Sequence, residues 1–316
     1  PSKASGAQVI DGSLKFDSVL KNHLEKDFSS DGNRKTWTWS SWVKKSEDEG
    51  FSEDGVLFEA RIDSPSADAD IFGIRWRSNG RIGVYDTGNF YVSGTREFRD
   101  TSAFYHLLLS VDTTVASNNI SLYVNGDLYL QGSYTQNTDT RVNDTCAHRI
   151  GARTTLGSQD GLFLDSYLAQ QYFIDGQALT PDSFGFTDPL TNTWKPKKYT
   201  GTFTGTNTFY LPFDGNSPIG KDQSGNGNDW TPVNFGGSVT LDSPIVSGAR
   251  PILNTTQGGT QAGVGVFGSR ENVGYAVTVY NDGGGNKYYI DGVKQDTVTG
   301  LIRGATYTFD QSDSTN

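Results

Sequence analysis

The chain has 316 residues, of which 34% are hydrophobic and 12% aromatic, with 38 glycines. Few aliphatic side chains, many rings and many turn residues together favour a thin β-sandwich over a helical bundle. The formal net charge of −10 argues against general binding to nucleic acid or to an anionic membrane surface, because both need a basic face.

The sequence also bears on disulfides and on membrane insertion. Cys146 is the single cysteine, so no disulfide is expected within the chain. No apolar run is long enough to span a membrane, and Pro1 to Ile10 lacks the basic-then-apolar layout of a signal peptide. We therefore predict neither membrane insertion nor a secretion signal.

The first patterned segments differ in their period. Val19 to Phe28 has the pattern of one or two amphipathic helical turns, which Gly and Asp then close. From Thr36 to Val43 polar and apolar side chains alternate. This alternation predicts a strand whose buried face carries Trp37, Trp39 and Val43.

Short strands separated by turns continue from there. Asn79-Gly80 and Asn125-Gly126 are strong hairpin signals, because both central residues of the favoured hairpin turn have positive φ. Phe104 to Asp112 is nearly continuously apolar, which predicts a strand buried on both faces or near the centre of a sheet. The other predicted strands are Gly55 to Ala60, Ile71 to Trp76, Arg81 to Tyr85, Ile120 to Val124, Asp127 to Leu130, His148 to Ala152 and Gly161 to Ile174. This series predicts an all-β fold, an antiparallel two-sheet jelly-roll sandwich.

A recurring motif of an apolar residue, Asp or Asn, and Gly is interpreted as a hairpin turn at each of its positions. Its copies are Ile10-Asp11-Gly12, Val124-Asn125-Gly126, Ile174-Asp175-Gly176 and Ile290-Asp291-Gly292.

Composition divides the chain into four parts. Residues 1–35 are predicted to form an N-terminal strand and arm, and residues 36–235 the jelly roll. The jelly roll ends in an extended return arm from Thr180 to Phe235, rich in Thr, Asn, Gly and Pro, with the strand-like Thr208 to Phe213. Residues 236–261 are predicted to be a linker and 262–316 a small β unit that lacks an obvious final strand.

Four segments occur in an order that resembles a known family. They are Trp39 to Lys44, Tyr105 to Asp112, Ile120 to Gly126 and Leu168 to Leu179. Together they resemble the concanavalin A-like, laminin-G-type module over Trp37 to Leu179. The resemblance implies the same jelly roll of two antiparallel sheets.

A narrower resemblance covers more of the chain. Asn33 to Lys45, Trp194 to Gly201 and Gly220 to Pro232 are similar to segments of virion structural proteins of marine tailed phages. This implies capsid decoration or a tail or fibre role, with other virion proteins and copies of itself as partners. It also implies a place on the virion surface after synthesis in the host cytoplasm.

In that phage group the C-terminal part resembles a cupredoxin-like strand pair, here Lys287 to Asn316. The group usually has a His-Pro pair shortly beyond the point where this chain ends. No such histidine is present, so no copper site is predicted.

The sequence predicts no catalysis. Glucanases of this fold carry Glu-x-Asp-x-x-Glu on one strand, and none of the seven glutamates has that spacing. The three histidines, His23, His106 and His148, have no metal-ligand spacing, and no Gly-x-Ser-x-Gly elbow exists. His106 lies inside an apolar strand and is interpreted as a hydrogen-bonded core residue.

Calcium is the one cofactor that the resemblance suggests. Laminin-G modules often hold one ion at the rim of the sandwich through separated Asp side chains and carbonyl oxygens. Asp70, Asp144 and the neighbouring Asn143 are the candidate ligands. The competing interpretation, which we favour, makes them ordinary loop residues.

Glycan binding is the second candidate site. Sugars stack on exposed aromatic rings flanked by Asn and Asp side chains. The densest such group is Trp76, Tyr85, Asp86, Asn89, Phe90 and Tyr91, although packing in the core or against a partner is the favoured interpretation. If this rim is open, the rival function is a lectin-like adhesin that recognises host surface glycans.

Overall fold

The computed structural model describes residues 7–10, 12–46, 54–62, 71–86, 89–153, 161–215 and 217–235, and the strands 273–281, 286–290, 293–294 and 307–310. The side chains of residues 89–91 lie outside this description. The chain divides into two compact units, Pro1–Val264 and Gly265–Asn316. The predicted linker, 236–261, falls outside the described residues.

Strands account for nearly all the regular structure of the larger unit. Those described are β1 (Leu14–Phe16), β2 (His23–Asp27), β3 (Thr36–Lys45), β4 (Gly55–Arg61), β5 (Ile71–Trp76), β6 (Ile82–Asp86), β7 (Asn89–Ser93), β8 (Tyr105–Asp112), β9 (Ile120–Val124), β10 (Asp127–Gly132), β11 (Ala147–Ile150), β12 (Ser166–Asp175), β13 (Gly185–Asp188), β14 (Thr193–Pro196), β15 (Phe209–Leu211) and β16 (Thr231–Val233). Helix in the described residues is limited to one 3₁₀ turn, Pro181–Ser183. None of the described helix is long and apolar enough to cross a membrane.

The strands form two antiparallel sheets of seven strands each, which confirms the predicted jelly-roll sandwich. Sheet A has the order β1-β12-β3-β8-β9-β10, with β15 also paired to β12. Sheet B has the order β16-β2-β11-β4-β5-β6-β7. A separate hairpin, β13-β14, belongs to the arm that follows β12.

Alternation in β3 places the predicted side chains in the core. Trp37, Trp39 and Val43 are fully buried between the sheets. The indole of Trp37 donates to Thr140 Oγ1 over 2.9 Å, so its polar atom is satisfied inside the core. Trp39 stacks on Phe58 of the opposite sheet with ring centroids 6.3 Å apart. Burial of each such ring stabilises the fold by about 1.5–3 kcal/mol.

The two hairpin predictions are confirmed. Asn125 and Gly126 have φ of 52° and 86° and join β9 to β10, and Gly80, with φ of 79°, lies between β5 and β6. β8 lies in the interior of sheet A, as its continuous apolar run predicted.

Two predictions at the sequence level are wrong. Val19 to Phe28 does not form a helix: its second half is strand β2, which pairs with β11 and buries Leu24 in the core. Pairing with neighbouring strands outweighs the weak helical period. Ile174-Asp175-Gly176 is not a hairpin turn either, because Asp175 ends β12 and the chain continues into the arm. The N-terminal part, residues 1–35, supplies β1 and β2 to the two sheets.

The arm folds onto the outer face of its own sheet A. A second apolar cluster forms there from Leu108, Tyr172 and Ile174 of the sheet and Phe184 and Tyr199 of the arm. β8 is therefore covered on both faces, by the core on one side and by the arm on the other. The arm therefore lies over its own sandwich.

The smaller unit contains a four-stranded sheet with β17 (Val273–Asn281), β18 (Asn286–Ile290), β19 (Val293–Lys294) and β20 (Tyr307–Asp310). Its order is β19-β18-β17-β20, and β17 and β20 are parallel. The small C-terminal β unit is thus present, and its cupredoxin-like character stays a prediction.

Candidate functional site

Two residues of the glycan rim predicted from the sequence, Trp76 and Tyr85, are buried. Trp76 is fully buried and packs edge-on against Phe98 and Tyr105, so the prediction that its ring stacks on a sugar is wrong. Tyr85 is 7% exposed, and the guanidinium group of Arg75 lies 3.7 Å from its ring centroid. One face of the Tyr85 ring is therefore covered by a cation.

The other members of that rim lie at the β6-β7 hairpin. Asp86 is half-buried and is the register partner of Asn89. The side chains of Asn89, Phe90 and Tyr91 are outside the described residues, so for these three the prediction stays open.

The two described calcium candidates are bound by protein groups. Asp144 Oδ2 lies 3.2 Å from Arg34 Nη2 and also pairs with Arg141. Burial raises the pKa of Asp144, but these two arginines outweigh it and hold the pKa below its usual range. Because a Ca²⁺ ion needs oxygen ligands, two guanidinium groups at this carboxylate do not fit such a site.

Asn143 is fully buried, and its side-chain oxygen accepts from Asn207 Nδ2 over 2.8 Å. Asp70 lies outside the described residues, and within those residues no group of three or more His, Cys, Asp or Glu could hold a metal. Calcium binding stays a prediction without support from Asn143 or Asp144.

His106 is a buried, hydrogen-bonded residue, as predicted. Trp194 Nε1 lies 3.1 Å from His106 Nδ1, and Ser40 Oγ lies 2.8 Å from His106 Nε2. An indole N–H can only donate, so Nδ1 accepts and the ring carries its proton on Nε2, which donates to Ser40. Burial lowers the pKa of His106 to about 3, so the ring is neutral at physiological pH.

An open groove lies between sheet A and the arm, and we name it the tyrosine groove. Its volume is about 350 Å³. Its lining residues are Tyr172, Lys198, Tyr199, Phe203, Tyr210, Pro212, Asp214, Ser217 and Gln223.

Strand pairing builds the floor of the groove. Tyr172 of β12 and Tyr210 of β15 are register partners in antiparallel strands. Their rings stack with centroids 4.2 Å apart and planes 3° from parallel. Tyr172 is buried beneath, whereas Tyr210 is half-buried.

A bulge in β12 holds the two phenol groups. Gln170 has a φ of 53°, and the register of β12 against β3 shifts at this point. Its side-chain oxygen lies 3.0 Å from each of the Tyr172 and Tyr210 hydroxyls, and Gln8 Nε2 is 3.2 Å away. Gln170 therefore fixes the positions of both hydroxyl groups and so the orientation of both rings. Burial, as the largest cause, raises the pKa of both tyrosines, so both remain protonated donors.

The arm supplies the wall. Tyr199 is almost buried, and its hydroxyl donates to the Thr202 carbonyl over 3.1 Å, which closes a short loop. Phe203 follows this loop with its ring 11° from parallel to Tyr210 and its centroid 6.4 Å away. Phe203 is half-buried, so part of its apolar surface faces the groove.

The rim is polar and is held by the loop after β15. The Asp222 carboxylate accepts from the backbone amides of Tyr210, Ser224 and Asn228, at 2.8 to 2.9 Å. The neighbouring amide of Gln223 donates to the Tyr210 carbonyl over 2.8 Å, so Gln223 is fixed beside the groove. Aromatic surface and a polar rim together suit a ligand with one apolar face and many hydroxyls.

Sequence analysis missed this groove. Tyr199, Phe203 and Tyr210 recur in a segment otherwise rich in Thr, Gly and Asn, which was the available signal. The segment was interpreted only as an extended return arm, so its rings were not considered as a site.

Comparison with family models identifies one match. The model of the concanavalin A-like lectin/glucanase superfamily, in its laminin-G-type group, matches residues 21–183, just over half of the chain. Comparison with curated protein sequences finds no match.

Several solved structures are similar in fold. A proposed carbohydrate-binding protein from Bacteroides ovatus ATCC 8483 shares 14% identity with a TM-score of 0.45; the alignment covers 70% of this chain and 57% of that one. The heptameric SAP-like pentraxin of Limulus polyphemus shares 16% with a TM-score of 0.38, over 55% and 80%. Trypanosoma rangeli sialidase in complex with sialic acid shares 17% with a TM-score of 0.36, over 47% and 22%. At these identities and TM-scores the likenesses carry no inference about ligand or activity.

Proposed function

This chain belongs to the concanavalin A-like lectin/glucanase superfamily, and from that premise we propose that it is a lectin-like module that binds carbohydrate in the tyrosine groove. The observation that carries the proposal is the arrangement of rings and rim. Half-buried Tyr210 and Phe203 offer apolar ring surface, and Lys198, Asp214 and Gln223 line the same groove. A pyranose ring has one apolar face and an edge of hydroxyls, which such a groove complements.

The proposed role is binding without catalysis. Two glutamates of sheet B are held in ion pairs: Glu59 Oε2 accepts from Arg75 Nε over 3.2 Å, and Glu25 lies 3.2 Å from Arg149. Burial, and the charge of Asp144 as well, raise the pKa of the Cys146 thiol to about 12. These groups are therefore poorly suited to act as general acid or nucleophile.

Replacement of Phe203 by alanine is the first test of this proposal. We expect carbohydrate affinity to fall by about tenfold or more, because about 1.4 kcal/mol of stacking corresponds to that factor. Affinity electrophoresis through gels that contain plant, algal or bacterial polysaccharides would measure the change.

Phe104→Ala is the matched control for Phe203→Ala. Phe104 is 36% exposed and does not line the groove, so this variant should bind like the wild type. Equal binding by the wild type and Phe203→Ala would remove the groove from the proposal.

We also propose, from the sequence resemblance alone, that the module is carried on a virion surface beside other virion proteins and copies of itself. The three segments that are similar to virion proteins have described contacts within this chain, and these contacts do not need a partner chain. Trp37 and Trp39 form the core, Trp194 stacks on His106, and Asp222 anchors the loop beside the groove. Support for assembly therefore rests on the resemblance.

Localisation tests the assembly proposal. Cryo-electron microscopy of particles from the source should place the chain on the capsid, tail or fibre, with the tyrosine groove facing solvent. Absence of the chain from purified particles, together with a monomer at high concentration in analytical ultracentrifugation, would contradict this proposal and leave carbohydrate binding intact.

A further inference from the structure

The charges that line the tyrosine groove balance one another. Lys198 contributes one positive charge and Asp214 one negative charge. Tyr172 and Tyr210 line the same groove, so this negative charge borders the same space as the stacked rings. A polyanionic ligand would meet the repulsion of Asp214 as well as the attraction of Lys198.

The two other lysines of residues 195–198, Lys195 and Lys197, do not line the groove. Lys197 donates to the carbonyl of Asp182 over 2.8 Å, so its ammonium group is directed to the backbone of the arm. Lys195 lies on β14, where it is the register partner of Phe186. Of the three lysines of this segment, Lys198 is therefore the one that lines the groove.

The rest of the protein opposes an acidic ligand. The formal net charge is −10, so a polyanion approaching the surface is repelled over most of its path. A strongly basic groove could overcome that repulsion, but a groove with one charge of each sign cannot. The volume, about 350 Å³, is at the small end for ligand sites and suits a short ligand.

We infer that the ligand of the tyrosine groove is a neutral glycan, held through one or two sugar rings, with Lys198 and Asp214 as hydrogen-bond partners of its hydroxyls. This inference rests on the proposed function and specifies its substrate class. The apolar ring face packs on Phe203 and Tyr210. Both charged groups then stabilise the bound glycan, because a hydroxyl donates to a carboxylate and accepts from an ammonium group.

The test is calorimetric titration of the full chain with two matched sets of disaccharides. The neutral set is lactose, maltose, cellobiose and mannobiose; the acidic set is disaccharides derived from alginate and from carrageenan. Each is titrated at about 50 and 500 mM NaCl, because salt screens charge–charge attraction and leaves neutral hydrogen bonding nearly unchanged. Asp214→Asn and Lys198→Gln are titrated alongside the wild type.

The two charge variants separate the alternatives. We expect a neutral disaccharide to bind with an affinity that changes less than about twofold with salt, and to bind about two- to tenfold more weakly to Asp214→Asn and to Lys198→Gln. Lys221→Gln is the control, because Lys221 is exposed, pairs with Asp229 and does not line the groove. It should bind like the wild type.

Two other outcomes would contradict the inference, and they are distinguishable. Preference for the acidic set, with salt-sensitive binding that tightens in Asp214→Asn, overturns the neutral class and leaves carbohydrate binding in place. Failure of both sets and of the polysaccharide gels removes the proposed function itself, and the inference with it.

Discussion

Replacement of Asp175 by alanine should lower the free energy of unfolding by about 3–5 kcal/mol. Asp175 is 2% exposed, and its Oδ1 accepts from the Asn33 amide over 2.8 Å and from Asn143 Nδ2 over 2.7 Å. Its Oδ2 accepts from the Asn207 amide over 3.3 Å. The carboxylate thus joins the loop before β3, the loop before β11 and the arm at the end of β12.

The size of the effect follows from the buried donors that would have no acceptor once alanine replaces Asp175. Asn143 is fully buried, and its Nδ2 would keep the Asn33 carbonyl at 3.0 Å but lose the acceptor of its other N–H. Each buried N–H without an acceptor costs about 1–3 kcal/mol. The neighbouring Gly205, with φ of 72°, has no room for a side chain beside this carboxylate, so the arm is closely packed here. Little space is therefore available for water to replace the lost oxygen atoms.

Urea unfolding of wild type and Asp175→Ala at pH 7, followed by tryptophan fluorescence, measures the change. Asp182→Ala is the matched control: Asp182 is exposed in the 3₁₀ turn of the arm, so its loss should cost less than about 0.5 kcal/mol. A cost below about 1 kcal/mol for Asp175→Ala would show that the network does not hold the arm.

Acidification should lower the free energy of unfolding at pH values well above those at which carboxyl groups usually titrate. Burial lowers the pKa of His106 to about 3, and that of His148 to about 4, from an ordinary value of 6.5. Below pH 6.5 the unfolded chain binds a proton at each ring and the folded chain does not. Stability therefore falls as pH decreases from 6.5 until the folded pKa values are reached, and is fully present above pH 6.5.

Each histidine contributes up to about 1.4 kcal/mol per pH unit, and because the unfolded rings are half protonated at pH 6.5, the two together should cost about 3 kcal/mol between pH 6.5 and 5. The Asn143 amide donates to His148 Nε2 over 3.1 Å, and Nδ1 donates to the Cys146 carbonyl over 2.9 Å. The Asn143 amide needs an unprotonated Nε2 as its acceptor, as Trp194 needs an unprotonated Nδ1 at His106, so both contacts require a neutral ring.

Urea unfolding at pH 7, 6 and 5 would measure this dependence. His106→Gln removes one of the two titrating rings, so the slope between pH 6 and 5 should fall by about half even if the variant is less stable throughout. An unchanged slope in that variant, or flat stability in the wild type, would rule out the histidine mechanism.

Turns of this protein could be predicted from the sequence where the residues that determine them are neighbours in the chain, and not where they are distant. Asn125-Gly126 dictates its hairpin through backbone preferences of the two residues themselves. Ile174-Asp175-Gly176 has a similar local pattern, yet Asp175 is bound by groups from three distant segments and ends a strand instead. Local pattern alone could not distinguish the two cases.

The amino-acid sequence by itself determined the all-β class, the main hairpins, the inward face of β3 and the buried character of His106. Each of these follows from side-chain alternation, turn chemistry or a continuous apolar run within a few residues. Only the tertiary structure decided that Trp76 is closed in the core and that Tyr172 and Tyr210 form the floor of a groove. The physical reason is that burial and register between distant strands depend on which surfaces cover each other, and no single segment contains that information.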